Sequence, residues 1–249
     1  MDIDIIHNED CIGEKGMCII PDKCIDMILC DLPYGTTACS WDTIIPFEPL
    51  WKQYKRIIRD GGAIALTASQ PFTSKLVMSN LKMFKYEWIW EKEKGGNFAN
   101  CKYQPMKIHE NIIVFGRKKL NFFPIMEKRP EKNRRKNKPR IAKSNITGTK
   151  WFKEKSFGDR PIKYPTSIKF YNTVRKDFFH PTQKPVALFR YLIKTYTNEG
   201  NIVLDNCIGS GTTAVACKQL GRHYIGFEIS EKYCEIAKKR LSQIQLDLL

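Results

Sequence analysis

Short apolar runs alternate with amphipathic stretches along most of this chain, and the alternation breaks once, in the middle. IDMILC (25–30) and AIALTA (63–68) are continuous apolar runs, the pattern of strands covered on both faces. FEPLWKQYKRII (47–58) repeats apolar residues at helical spacing, and Asp60-Gly61-Gly62 is expected to stop that helix. QPFTSKLVMSNL (70–81) reads as another helix, with Pro71 near its start. KYEWIWEK (85–92) and ENIIVFG (110–116) read as strands. The stretch GGNFANCKYQPMK between them is too long for a tight hairpin and is expected to be a functional loop.

Order resumes after residue 179. PVALFRYLIKTYT (185–197), TTAVACKQLG (212–221) and SEKYCEIAKKRLSQIQ (230–245) read as helices, with Pro185 in a first turn, Gly221 at an end and Ser230 as an N-cap. NIVLDN (201–206) and HYIGFEI (223–229) read as strands. Strands and helices alternating on both sides of the break predict one α/β domain built on a doubly wound, mostly parallel sheet. Three segments result: 1–116, an aperiodic insertion at 117–179, and 180–249.

Length and composition fit that picture. The 249 residues suit one α/β domain with an insertion. No apolar run approaches a membrane span, and MDIDIIHNED lacks the basic-then-apolar pattern of a signal peptide, so a soluble cytoplasmic protein without a membrane partner is expected. The nine cysteines include no C-x-x-C pair, and the four histidines do not cluster with them. Neither a zinc site nor a disulfide framework is expected, and no metal.

Charge changes the picture more. The net charge is +16, and residues 117–163 carry seventeen Lys and Arg against four acids. Thirteen excess positive charges in under a fifth of the chain are a footprint for a polyanion. Lys132, Arg134, Arg135, Lys136, Lys138 and Arg140 are its densest part and the expected phosphate contacts. The aromatics around them (Trp151, Phe152, Phe157, Tyr164) are more than a disordered tail would carry.

Two stretches carry chemistry. In VLDNCIGSGTTAVA (203–216) a strand runs through Gly209 and Gly211 into a helix, and Glu228 ends the next strand. Glycines let the backbone approach a ligand, the helix start offers free N–H groups, and a strand-terminal acid can accept from ribose hydroxyls. Together they indicate a nucleoside-containing cofactor. A P-loop is excluded, because Thr212-Thr213 stands where Gly-Lys is needed. The second stretch is CDLPYG (30–35), where the IDMIL strand ends in an acid, a proline, an aromatic ring and a glycine.

These stretches resemble a known family. DLPY (31–34) is similar to the D-P-P-Y motif of amino-group DNA methyltransferases, DNCIGSGTT (205–213) to their D-P-F-x-G-S-G-T-T cofactor motif, and HPTQKP (180–185) to the block that precedes it. The order of catalytic motif, basic insertion and cofactor motif resembles the circularly permuted β group, whose central insertion recognises the target. Leu32 departs from the first proline of D-P-P-Y, and Asn206-Cys207 from the Pro-Phe of D-P-F.

The resemblance implies S-adenosylmethionine as cofactor and double-stranded DNA as partner. It implies a cofactor set of Asp10, Cys11, Asp31, His180, Thr182, Lys184, Asp205, Cys207, Gly209, Ser210, Gly211, Thr212 and Glu228, with Lys184 toward the methionine carboxylate. Asp31, Leu32, Pro33 and Tyr34 are the implied catalytic residues. An exocyclic amine is a poor nucleophile because its lone pair is delocalised into the ring. The Asp31 carboxylate and Leu32 carbonyl are expected to accept its N–H groups and turn the lone pair toward the methyl. Pro33 is expected to fix the backbone and Tyr34 to stack on the extruded base.

Asp at the first motif position favours adenine N6, with cytosine N4 as the alternative. RNA or protein acceptors, and a non-catalytic DNA-binding protein, are the other readings. Trp90 and Lys92 are candidates for flanking the target pocket, whereas His109-Glu110 reads as structural. A bacterial or phage setting allows a cognate restriction endonuclease as partner and a monomer or homodimer as the form.

Overall fold

A computed structural model describes residues 1–37, 42–131, 161–175, 179 and 182–247. The strands are β1 (Ile5–His7), β2 (Ile25–Cys30), β3 (Ile58–Ala68), β4 (Phe84–Gly96), β5 (Lys107–Phe115), β6 (Glu127–Lys128), β7 (Ile162–Lys163), β8 (Ile168–Phe170), β9 (Ile202–Asp205) and β10 (His223–Phe227). The helices are α1 (Phe47–Ile57), α2 (Phe72–Ser79), α3 (Val186–Tyr196), α4 (Thr212–Gln219) and α5 (Glu231–Asp247).

Eight strands form one sheet in the order β1-β10-β9-β2-β3-β5-β4-β8. Every adjacent pair is parallel except β3–β5 and β5–β4. The doubly wound, mostly parallel sheet is therefore present.

Both faces are covered, which explains the apolar runs. In β2, Met27 and Leu29 join one core cluster with α3, α4 and α5, and Ile28 and Cys30 join a second with α1 and α2. All four are fully buried. At roughly 2 kcal/mol for each large apolar side chain removed from water, such strands are a main source of cohesion. No described helix is long and apolar enough to cross a membrane.

Three expectations are corrected. Asp60-Gly61-Gly62 does not stop α1: Ile58 is already extended, and the glycines lie inside β3 at a register shift against β2. The 85–92 and 110–116 runs are longer strands that pair antiparallel, leaving only 97–106 as the tip between them. The aperiodic stretch supplies an edge strand, β8, which pairs parallel with β4.

The chain divides into two compact units, 1–123 with 167–249, and 124–166. These limits lie inside the 117 and 179 marked by composition. In the smaller unit β6 and β7 pair antiparallel, and the Arg129 amide donates to the Pro161 carbonyl at 2.7 Å.

Candidate active site

β2 and β9 are adjacent parallel strands, with Met27 opposite Val203 and Ile28 opposite Leu204. Their carboxyl ends therefore place Asp31 and the 205–212 turn side by side, where open α/β sheets bind ligands. Both open onto one cavity of roughly 730 Å³.

Asp31 is held on every side. Its Oδ1 lies 2.9 Å from the Tyr34 hydroxyl and also accepts from the Thr67 hydroxyl, and the two hydroxyls are 2.8 Å apart. A carboxylate can only accept, so two hydroxyl protons serve the three contacts. Its Oδ2 accepts from Lys184 Nζ at 2.7 Å. The Tyr34 ring stacks on Phe72 of α2, centroids 5.3 Å apart.

The turn after Asp31 is organised by Asp42. One Asp42 oxygen accepts from the Tyr34 and Gly35 amides at 2.7 and 2.8 Å, the other from Thr36 and Thr37 at 2.8 and 2.7 Å. Burial pushes the Asp42 carboxyl up, but the amide donors, Gly35 foremost, outweigh it and hold it below the ordinary range.

Behind Asp31 runs a chain of alternating charge. Lys184, only 6% exposed, also lies 3.5 Å from Glu110 Oε2, and Glu110 Oε1 is ion-paired with Lys92. The 3.5 Å pair is electrostatic, because that Glu110 oxygen has no hydrogen-bond donor. Burial alone would push Lys184 down, but Asp31 and Glu110 outweigh it and raise its pKa. Burial likewise works against the Glu110 charge, and Lys184 and Lys92 still hold its pKa below the ordinary value.

The other wall is the glycine turn. Gly211 has φ +83°, and a Cβ there would sit 2.9 Å from the Ala237 Cβ of α5. It is glycine for both reasons. Gly209, at φ +51°, has no atom within 4 Å of a Cβ position. Its amide donates to Glu228 Oε2 at 3.0 Å, and Ser230 donates to Oε1 at 2.9 Å. Burial raises the Glu228 pKa. Two bonds leave this carboxylate with lone pairs for further donors.

Asp205 faces inward: its oxygens accept from the Thr213 hydroxyl at 2.5 Å and the Cys207 amide at 3.1 Å. Burial pushes its pKa up to about 7. Asn206, where the resemblance leads one to expect proline, is a buried amide that accepts from Tyr54 of α1 at 2.5 Å.

Among the expected site residues, Asp10, Cys11, Asp31, Leu32, Pro33, Tyr34, Thr182, Lys184, Asp205, Cys207, Gly209, Ser210, Thr212 and Glu228 line this cavity, as do Trp90 and Lys92. Gly211 is not among the lining residues and packs against Ala237. His180 and the basic set Lys132, Arg134, Arg135, Lys136, Lys138 and Arg140 lie outside the described residues.

Sequence reasoning missed Thr67, Asp42, Arg240 and the Glu110 ion pairs. Arg240 of α5 is buried and donates to the Ser210 carbonyl, and to its hydroxyl at 3.1 Å. Each gains its place from a partner distant in sequence, apart from Asp42, whose only signal is an acid shortly after the turn.

A glycine turn and strand-terminal acid on one wall, with the Asp31–Tyr34 turn on the other, form a site suited to a nucleoside-bearing cofactor. Comparison with known proteins gives the family: its model, described as DNA methylase of the N6/N4 methyltransferase type, matches residues 25–239. The type II methyltransferase M.HpaI of Haemophilus parainfluenzae is 30% identical over 241 residues, 91% of this chain and 71% of that protein. M1.MboII of Moraxella bovis is 26% identical over 270 residues, 99% of this chain and all of its own. The solved M1.HpyAVI–SAM complex has the same fold, with TM-score 0.60 at 24% identity, covering 94% of this chain and 98% of that one. The chain belongs to the DNA methylase family and is an S-adenosylmethionine-dependent DNA methyltransferase.

Proposed function

We propose that the enzyme methylates the exocyclic N6 amine of adenine in double-stranded DNA, with the target base turned out of the helix. The observation that carries this is the meeting of Asp31, from the end of β2, with the Gly209–Thr212 turn, from the end of β9, on one cavity. Asp rather than Ser at the first motif position favours adenine over cytosine.

The residues present fit the cofactor. Gly209 leaves its backbone open to a ligand, and Glu228 keeps acceptor capacity for ribose hydroxyls. Cys11 and Cys207 offer small side chains to the same cavity, and Asp205 and Arg240 brace the turn from behind. S-adenosylmethionine, when bound, supplies a methyl group on an electrophilic sulfonium.

Asp31 does the decisive work on the amine. Its contacts with Tyr34 and Thr67 on Oδ1 and with Lys184 on Oδ2 fix the carboxylate while leaving acceptor capacity on Oδ2. Oδ2, with the Leu32 carbonyl, accepts the amine N–H groups and frees the nitrogen lone pair for attack. Lys184 serves Asp31 and Glu110 in this arrangement, which favours it as the anchor of the catalytic acid over the expected methionine carboxylate contact. Positioning of this kind is worth about 7–11 kcal/mol in favourable cases. The Tyr34 ring, stacked on Phe72 and with Lys184 Nζ 5.6 Å from its centroid, lines the cavity where the base is expected.

Type II methyltransferases are the curated relatives, so a cognate restriction endonuclease is the expected partner, in the cytoplasm where the DNA lies. A monomer or homodimer is the expected form, and the basic stretch 129–140 the expected phosphate contact.

The test is methyl transfer from tritiated S-adenosylmethionine to bacterial genomic DNA, followed by nucleoside separation. Label in N6-methyladenine supports the proposal. Label in N4-methylcytosine keeps the mechanism and overturns the base.

A further inference from the structure

The tip between β4 and β5 is unused by the chemistry above, and its surface is unusual. Phe98 is 74% exposed and Tyr103 is 88% exposed, with Met106 and Ile108 also open to solvent. Neither aromatic ring stacks on another among the described residues. Water gains nothing from two exposed rings at one loop tip, and clustered apolar side chains on a surface mark a contact site.

The tip is not loose. A 3-10 turn spans Phe98–Asn100, the Tyr103 and Gln104 amides donate to the Asn100 carbonyl at 2.9 and 3.1 Å, and Asn100 Nδ2 donates to Asn97 Oδ1 at 3.0 Å. The rings are presented on an ordered backbone.

Position and charge say what meets them. Ala68 pairs with Asn111, so the residues between β4 and β5 project from the sheet end that carries Asp31. Lys107 bonds Ser69, and Ser69, Lys92 and Glu110 all line the active cavity. The strands continue only four residues past Asn111 to Lys107, about 13 Å at the usual rise. The stretch from Lys94 to His109 holds three lysines and no acid, and Lys94 and Lys102 are exposed. A hydrogen-bonded tip bearing rings and positive charge beside the base pocket matches a duplex that has lost one base from its stack. Such a gap exposes the faces of the flanking bases, which an apolar ring can cover while lysines meet the phosphates.

We propose that this tip contacts the DNA beside the extruded base and that Tyr103, assisted by Phe98, enters the stack at the vacated position. This rests on the DNA methyltransferase reading. The ring offsets the cost of unstacking a paired base. A target base with no partner is already unpaired, so the ring matters less there.

The experiment uses the full chain, wild type and Tyr103→Ala, on oligonucleotide duplexes carrying the methylated site once sequencing of modified genomic DNA has mapped it. One duplex has the target base paired, and the other has an abasic residue opposite it. The expected result is a loss in single-turnover rate of roughly tenfold or more on the paired duplex and under about twofold on the abasic one. Phe98→Ala should show the same preference more weakly. Equal losses on both duplexes, or no loss on either, overturn the proposal. So does a change in sedimentation of the variant without DNA, which would make the tip a contact between copies. Wild-type protein that leaves genomic DNA unmodified at the mapping step overturns the methyltransferase reading itself, a result separate from any difference between variants.

Discussion

Replacing Asp42 with Asn tests how the catalytic turn is held. The carboxylate accepts four successive backbone amides, two on each oxygen, at 2.7–2.8 Å. Asn keeps one oxygen, so two amides remain satisfied and the other two face an NH₂ group that can only donate. Hydrogen bonds to a charged group contribute about 1.5–3 kcal/mol each, so two are worth about 3–6 kcal/mol. Thr36 and Thr37 are exposed, and their freed amides can turn to water, which favours the lower end. A 3 kcal/mol shift changes the turn's equilibrium roughly a hundredfold. The turn carries Pro33 and Tyr34 but no expected cofactor contact beyond Asp31. We therefore expect kcat to fall at least roughly tenfold, with KM for S-adenosylmethionine within about twofold. Steady-state kinetics and a thermal melt measure both. The wild-type carboxyl is held below the ordinary range, so its stabilisation is complete above that range and is lost as pH falls below about 4. The kinetic gap should thus persist across pH 5–8. A variant with wild-type kcat and wild-type Tm would refute the reasoning.

Three further outcomes follow from the site. Asp31→Ala should reduce methyl transfer more than roughly a hundredfold while DNA affinity, read by gel shift, stays within about threefold. Gly211→Ala forces a side chain into a positive φ and against Ala237, so Tm should fall, with strain of about 1–3 kcal/mol, and S-adenosylmethionine should bind more weakly by calorimetry. Asp205, raised to about 7, takes up a proton on folding between its ordinary value and that one, so its contribution to stability falls as pH rises through this window. Thermal melts should show Asp205→Asn gaining on the wild type from about pH 4 to pH 7 and levelling above; a pH-independent difference would refute it.

How much of this was legible in the chain depended on distance. β2, β9 and β10 declare themselves because a strand buried on both faces must be apolar throughout, and α3 because Pro185 and the Leu188–Leu192 spacing mark its start and inner face. Asp31, Lys184 and Glu228 are legible because each ends or begins such an element. β1 and β8 are three residues each, too short for any period to show, and their pairing depends wholly on neighbours far along the chain. Gly61 and Gly62 mislead because a glycine pair marks a helix end and a strand bulge equally well. Glu110 reads as an ordinary strand residue until Lys184, remote in sequence, is folded against it. Tyr54 and Asn206 show the same limit: their 2.5 Å bond spans 152 positions.

The pairing of β2 with β9 has a consequence for how the enzyme comes into being. Asp31, the proposed catalytic acid, closes a strand that is made before its neighbour, residues 202–205, which emerges some 170 positions later. Until then β2 has one edge open, and the Asp26 carboxylate, which receives the Ile202 amide at 2.8 Å, is held only from the β3 side by Arg59. Contacts this distant are slow to form and leave an exposed strand edge in the nascent chain. The two walls of the cavity cannot assemble before residues 202–212 exist, so a chain cut short of them is expected to modify no DNA. Maturation of the sheet's centre is itself a delay between translation and the first methylated base.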